Sequence, residues 1–152
     1  MTPRDLDRAV VQSRLRLIEE LLDDLERTGE LTADMLEHDR MLRHAIERIL
    51  SQVVELAVSV NSHVSATVLE DAPKDYRSSF LLAATAGLIE PQLAADLQPS
   101  VGLRNVLAHE YVDIDLKMVA AAAQQAAGQY RAYIRSASAW LLRRNREERM
   151  HD

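Results

Sequence analysis

The sequence contains no cysteine, which excludes disulfide bonds, thiolate metal sites and cysteine nucleophiles. Glycine and proline number four each, and the chain has a single Phe and a single Trp. Residues with high helix propensity, chiefly Leu, Ala, Arg and Glu, dominate the remainder. The composition therefore predicts an all-α chain, and the missing thiols fit a reducing compartment, for which the cytoplasm is the expected location.

No segment approaches the roughly 18 uncharged apolar residues that a membrane-spanning helix needs. The amino terminus is charged from its fourth residue, so we expect neither a signal peptide nor a membrane partner. The formal charge is -6 at pH 7, and the overall field therefore repels polyanions. Any RNA contact must come from a local patch, and no DNA partner is expected.

Apolar residues recur at spacings of three and four along most of the chain, the pattern of amphipathic helices. The predicted helices are residues 6–25, ended by Gly29; a helix of about thirty residues capped by Thr32 and ending before Pro73; residues 75–86, ended by Gly87; a short helix that begins near Pro91 and ends at Pro99; a segment over 101–111 capped by Ser100; and a last helix capped by Asp113 or Asp115 that reaches roughly Leu142. We predict one domain, 1–152, folded as an all-α, up-and-down bundle of two long and several shorter helices.

The last predicted helix has two unusual features. Small residues over 120–123 and 126–128 permit close helix contact, which we interpret as core or dimer packing. The run RRNREERMHD that follows contains four arginines, which could touch RNA phosphates. A solvated helix end is favoured, because cations suit a helix carboxyl end and Glu147 and Glu148 dilute the positive charge.

The segment GLRNVLAHEY, residues 102–111, places Arg104, Asn105, His109 and Tyr111 in one short helical stretch. Arg104 and Tyr111 fall nearly in line on a helix, while Asn105 and His109 are one turn apart on a neighbouring face. All four side chains could therefore border one shallow site.

RNA cleavage without a metal needs a base for the 2′-hydroxyl proton, an acid for the leaving oxygen and positive charge for the transition state. His109 can act as base or acid, and Arg104 can hold a phosphate oxygen with its planar fork. Asn105 could hold the imidazole by a hydrogen bond, and Tyr111 could donate to a phosphate or ribose. We predict catalytic roles for Arg104 and His109 and supporting roles for Asn105 and Tyr111.

A purely structural interpretation of the same residues is also open. In that case Arg104 pairs with a carboxylate, Asn105 caps a turn, His109 makes a buried hydrogen bond and Tyr111 packs with its hydroxyl at the surface. Composition and spacing alone favour this interpretation, because such residues occur together in many helices.

Neither a metal nor a cofactor is expected. Three histidines lie on or near the long second helix, His38, His44 and His63, with Glu37, Asp39 and Glu47 nearby. No H-E-x-x-H pair occurs, so a solvated polar face is favoured over a metal site, although His63 merits a test. The sequence also lacks the glycine-rich loops of the common nucleotide-binding enzymes.

The run RNVLAHEY resembles the R-x4-H-x-Y signature of HepT-like toxins in the HEPN superfamily, without a gap. Other segments are similar to that family as well: the pair Tyr76-Arg77, the stretch DRMLRHAIER over 39–48, the histidine His63 and the VDID that follows the tyrosine. The resemblance covers nearly the whole chain, and the first thirty residues are the least distinctive.

The resemblance implies a helical bundle that forms a homodimer, with two motifs facing each other across a composite cleft. It implies a metal-independent endoribonuclease toxin of a type VII toxin–antitoxin system, with RNA as substrate. The partner would be a minimal nucleotidyltransferase antitoxin that transfers AMP to Tyr111. Adding phosphate beside Arg104 would fill the site and neutralise its charge.

Two alternatives stay open at this point. The chain could be a non-catalytic binding partner or regulator of a nucleotidyltransferase that keeps the motif for docking or as an AMP acceptor. It could also be a structural bundle in which the polar motif fixes the dimer. The sequence names neither the RNA target nor the antitoxin.

Overall fold

The computed structural model describes residues 5–109 and 113–152, and these residues form six α-helices without a strand. The helices are α1 (Arg8–Arg27), α2 (Ala33–His38), α3 (Arg40–Val68), α4 (Tyr76–Thr85), α5 (Pro91–His109) and α6 (Leu116–His151). The predicted all-α fold class is confirmed. No helix within the described ranges has both the length and the apolar character needed to cross a membrane.

Helix α1 follows directly from the apolar spacing of its sequence. The predicted stripe is buried along its whole length: Val11, Leu15, Ile18, Leu22 and Leu25. Asp7 caps the amino end, since its side chain accepts a hydrogen bond from the Val10 amide. Gly29 adopts a φ of +68°, which suits glycine and ends the helix as predicted.

The prediction of one unbroken helix after Thr32 is wrong. Thr32 caps the short helix α2, and the chain breaks at Asp39 before α3 begins. Asp39 has an extended backbone, and its side chain accepts from the Leu42 amide, so it serves as the amino cap of α3. Aspartate favours such caps because its oxygen competes with the helical hydrogen bonds of the backbone.

Helix α4 matches its prediction, whereas α5 does not. Asp75 and Ser78 form a capping box at the start of α4, and Gly87 follows its end with a φ of +85°. Pro99 was expected to end a short helix, but it lies inside the continuous helix α5. Tertiary packing overrides the missing amide, because α5 buries residues on both sides of the proline, Leu97 and Val101 among them.

Ser100 does not cap a new helix. Its hydroxyl donates to the Leu97 carbonyl and shares a 2.6 Å hydrogen bond with the Tyr130 hydroxyl of α6. Asp115 is the amino cap of α6, while Asp113 has a left-handed φ of +65°. Helix α6 continues to His151, beyond the expected end near Leu142, so the arginine-rich run is helical.

Helix α3 forms the spine of the bundle, because it contacts each of the other five helices. A buried polar network crosses the core at its centre. The Tyr133 hydroxyl donates to Asn61 Oδ1 at 2.5 Å, and the Asn61 amide donates to the Ser79 hydroxyl at 3.3 Å. Every polar side chain in this chain of contacts is buried, so the bonds fix α3, α4 and α6 in one register.

Candidate active site at the end of α5

The described part of the predicted motif, residues 102–109, occupies the last turns of α5. Arg104 and Asn105 lie within the helix, and His109 is its final residue. The predicted supporting residue and AMP acceptor, Tyr111, lies outside the described residues. The described part of the site is therefore built around Arg104 and His109.

Arg104 is held by side chains from two other helices. Its Nη2 donates to Glu55 Oε1 of α3 at 3.2 Å. Its guanidinium carbon lies 4.6 Å from the centroid of the Tyr76 ring at the start of α4. The Arg104 side chain is 21% exposed, so its positive charge is oriented by the bundle and still reachable from outside.

Glu55 was missed by sequence reasoning, and Tyr76 was noted through the family resemblance without a role. Neither contact has a local signal, because each joins helices far apart in the chain. The pairing of Arg104 with a carboxylate is the one expected under the structural interpretation. This pairing leaves other N–H donors of the guanidinium available, because Glu55 accepts a single hydrogen bond and Nε has no hydrogen-bond partner among the residues described.

Asn105 and His109 are both exposed. In the described parts of the chain neither side chain takes part in a hydrogen bond, so Asn105 does not hold the imidazole in this arrangement. The exposure of His109 differs from the buried histidine of the structural interpretation. An accessible imidazole at a helix end is free to meet a ligand.

A polar groove lies on one side of Arg104, between α3 and α5. Its volume is about 340 Å³. The lining residues are His44, Glu47, Arg48, Ser51, Glu55, Arg104, Leu107 and Ala108. The Glu47 carboxylate is engaged by Arg43 at 3.0 Å.

An apolar pocket of about 210 Å³ lies on the other side of Arg104, where α3, α5 and α6 meet. Met118, Ala121 and Ala122 line it from α6, and Met118 is 58% exposed. The small residues of α6 thus divide: Ala120 and Ala123 lie in the core, Ala121 and Ala122 lie at this opening, and the buried Ala126 forms part of the pocket wall.

Tyr130 lies on the wall of the same apolar pocket and is buried. Burial raises the pKa of its hydroxyl well above the ordinary value, against a smaller opposing effect of the hydrogen bond with Ser100. The group therefore stays protonated and acts as a structural hydrogen-bond partner.

The other candidate residues have structural partners. His63 Nε2 accepts a hydrogen bond from the Asp7 amide at 3.0 Å, which ties α3 to the start of α1. His38 pairs with Asp34 in its own helix. Within 5–109 and 113–152, no group of three or more histidine, aspartate or glutamate side chains is placed to hold a metal ion.

The arginine-rich end of α6 is partly engaged within the chain. Arg144 pairs with Glu148 at 3.6 Å and lies over the Trp140 ring at 5.4 Å. Arg8 of α1 also pairs with Glu148. These contacts agree with the interpretation of a solvated helix end.

Comparison with known proteins gives consistent matches. A family model described as ribonuclease HepT-like matches residues 18–137. The chain is 28% identical over 138 residues to the tRNA nuclease HepT of Aphanizomenon flos-aquae, a match that covers 91% of this chain and 94% of that protein. It is 30% identical over 81 residues to the mRNA nuclease HepT of Shewanella oneidensis, covering 53% of this chain and 61% of that protein.

Solved structures share the fold. A tri-AMPylated HEPN toxin of Shewanella oneidensis in complex with an MNT antitoxin superposes with a TM-score of 0.76 at 22% identity, covering 86% of this chain and 97% of that one. The cytosolic protein YutE of Bacillus subtilis, of unknown function, gives a TM-score of 0.77 at 12% identity, covering 90% and 91%. At these identities the likeness concerns the fold alone.

Proposed function

Because the chain belongs to the HepT-like ribonuclease family, we propose that it is the RNA endonuclease toxin of a toxin–antitoxin pair, acting through Arg104 and His109. The observation that supports the proposal most strongly is the position of the Arg104 side chain. Glu55 and Tyr76 hold its guanidinium at the edge of an open groove, and the exposed His109 lies five residues further along the same helix. Oriented positive charge and an accessible imidazole on the same helix suit phosphodiester cleavage.

The chemistry needs no metal. A neutral His109 takes the proton of the 2′-hydroxyl, the oxygen attacks the neighbouring phosphorus, and the 5′-oxygen leaves with a proton from an acid. Arg104 stabilises the charge that develops on the phosphate oxygens. One imidazole cannot be base and acid in the same step, so a second copy of the motif supplies the other proton transfer.

A homodimer meets that need. The apolar pocket beside Arg104, with Met118 at its mouth, is a surface that a second copy can cover. A twofold axis next to α5 places two arginines and two histidines around one cleft. The protein then works in the cytoplasm on cellular RNA.

The proposed partner is a minimal nucleotidyltransferase antitoxin. The complex of the similar Shewanella oneidensis toxin combines an AMPylated HEPN toxin with an MNT antitoxin. In this chain the acceptor is Tyr111, the tyrosine of the motif. AMP on that side chain adds negative charge near Arg104 and blocks the cleft.

A cleavage assay tests the proposal. Purified protein is incubated with total cellular RNA in EDTA, and Arg104→Ala and His109→Ala are compared with wild type. Arg16→Ala is the matched control, because Arg16 is an exposed cation of α1 outside both the groove and the pocket. We expect cutting by wild type and the control, and loss of at least a hundredfold in both motif variants.

Intact RNA with wild type, or undiminished cutting by the motif variants, would contradict the proposal. Intact mass after coexpression with a neighbouring nucleotidyltransferase tests the modification, with Tyr111→Phe as the control. An adenylylated Tyr111 in a chain that never cuts RNA would favour a non-catalytic partner of the transferase instead.

A further inference from the structure

The polar groove beside Arg104 contains an arginine and a histidine that the proposed chemistry does not use, Arg48 and His44. His44, Arg48, Ser51 and Glu55 follow one another at four- and three-residue spacing, so they form one stripe on α3. Arg104, Leu107 and Ala108 form the facing stripe on α5. The groove therefore has a polar wall and a largely apolar wall.

Both acidic side chains of the groove are already paired with an arginine. Glu47 is engaged by Arg43, and Glu55 by Arg104. Arg48 and His44 are exposed, and among the described residues neither forms an ion pair. Arg48 is thus a cation of the groove that no described carboxylate pairs with, although the whole chain has a charge of -6.

The groove leads from Arg104 towards the end of α5. The apolar pocket joins residues 50–54 of α3 to residues 99–104 of α5, whereas the groove extends back to His44 of α3 and onward to Ala108 of α5. The two helices therefore run antiparallel here. Arg48 and His44 lie along the direction in which α5 ends at His109.

We propose that this groove binds the sugar-phosphate backbone of the RNA strand next to the scissile phosphate, with Arg48 and His44 as the contacting side chains. This inference rests on the proposed ribonuclease function. Arg48 can grip a phosphate through its fork, and the imidazole of His44, one turn away, can donate to the same strand. Leu107 and Ala108 offer an apolar surface for a ribose.

The volume fits such an occupant. About 340 Å³ is within the range of ligand clefts and suits a nucleotide unit rather than a folded partner. Contacts to phosphate position a strand without reading its bases. The groove is therefore expected to raise affinity for single-stranded RNA of any sequence.

The test measures binding and cleavage separately. Binding of a fluorescent single-stranded RNA is titrated at several salt concentrations in the His109→Ala background, so that the RNA stays intact. Arg48→Gln and His44→Gln are compared with Arg16→Gln, a matched charge removal on α1. We expect Arg48→Gln to weaken binding about tenfold, as for loss of one charged hydrogen bond, and to reduce the salt slope by about 0.7.

In the cleavage-competent protein, Arg48→Gln and His44→Gln should raise KM while kcat stays close to wild type, because the groove positions substrate remote from the reacting atoms. Equal affinity and salt slope in Arg48→Gln and Arg16→Gln would overturn the inference. If wild type still cuts RNA in that case, the proposed function stands. Absence of both binding and cutting by wild type would overturn both.

Discussion

The Tyr76 ring should affect the rate of RNA cleavage only by holding the Arg104 guanidinium in place. Replacing it in Tyr76→Leu removes the surface on which the guanidinium rests, and a cation–π contact of this kind is worth about 1 kcal/mol, or about fivefold in kcat/KM. Tyr76→Phe keeps the ring and should cut RNA like wild type. Steady-state cleavage kinetics of both variants, with thermal melting to verify the fold, measure the difference. Equal losses in the two variants would assign the effect to the hydroxyl.

At this same scale, the sequence could identify the motif but not its surroundings. Arg104, Asn105 and His109 were predicted from eight consecutive residues, and their catalytic roles stay a prediction. The contacts of Arg104 with Glu55 and Tyr76 span 49 and 28 positions of sequence, and helix periodicity specifies no such pairing. Those partners become visible once three helices have packed together.

At the scale of helices, the predicted helix ends were confirmed where a glycine ends the helix, and the predictions around Asp39 and Pro99 were wrong. Gly29 and Gly87 adopt the left-handed backbone that glycine favours, so they ended helices where expected. Asp39 broke a long apolar pattern because its side chain caps α3, a signal that the spacing of apolar residues conceals. Pro99 failed to end α5 because the packing of its neighbours outweighs the lost backbone bond.

Pro99 should therefore be a site where the bundle can be stabilised. Pro99→Ala restores a backbone amide inside α5, and we expect the free energy of unfolding to rise by about 1 kcal/mol, less than the full proline penalty because the unfolded chain also gains freedom. Pro91→Ala is the control, since the first helical turn needs no amide there and the change should be small. Urea unfolding measures both. A loss of stability in Pro99→Ala would mean that the bundle requires the proline at this point of α5.

The cap of α4 should make part of the stability depend on pH. Hydrogen bonds from the Ser78 backbone amide and hydroxyl lower the pKa of the Asp75 carboxyl below its usual value. The stabilisation is present above the unfolded pKa and is lost as the pH falls through the folded one. The Asn side chain of Asp75→Asn caps the helix without a charge. The difference in melting temperature between wild type and this variant should therefore shrink as the pH is lowered from 6 to about 3. A difference in melting temperature that stays constant with pH would contradict a stabilising role for the Asp75 charge.

Over the whole molecule, charge and apolar surface are distributed unequally around Arg104. The chain is acidic overall, yet the groove towards His44 contains Arg48, a cation with no ion-pair partner among the described residues, and the opposite side opens into an apolar pocket. A substrate strand suits the first surface and a second copy suits the second. One arginine thereby belongs to both the proposed substrate groove and the proposed dimer face.

A substitution at Met118 tests the proposed dimer face without changing the proposed substrate groove. In Met118→Asp a charge enters the mouth of the apolar pocket, where a second copy would have to bury it at high cost, whereas the exposed side chain contributes little to the fold of one chain. Light scattering coupled to gel filtration should show wild type at twice 17.1 kDa, which is 34.2 kDa, and the variant at 17.1 kDa. The rate of RNA cleavage should fall in the monomeric variant, because a single chain has one motif histidine where the reaction uses two. Met150→Asp, at a still more exposed methionine near the end of α6, should stay dimeric and active. A wild type of 17.1 kDa that cuts RNA would contradict the composite cleft, and a dimeric Met118→Asp would place the interface on another face of the bundle.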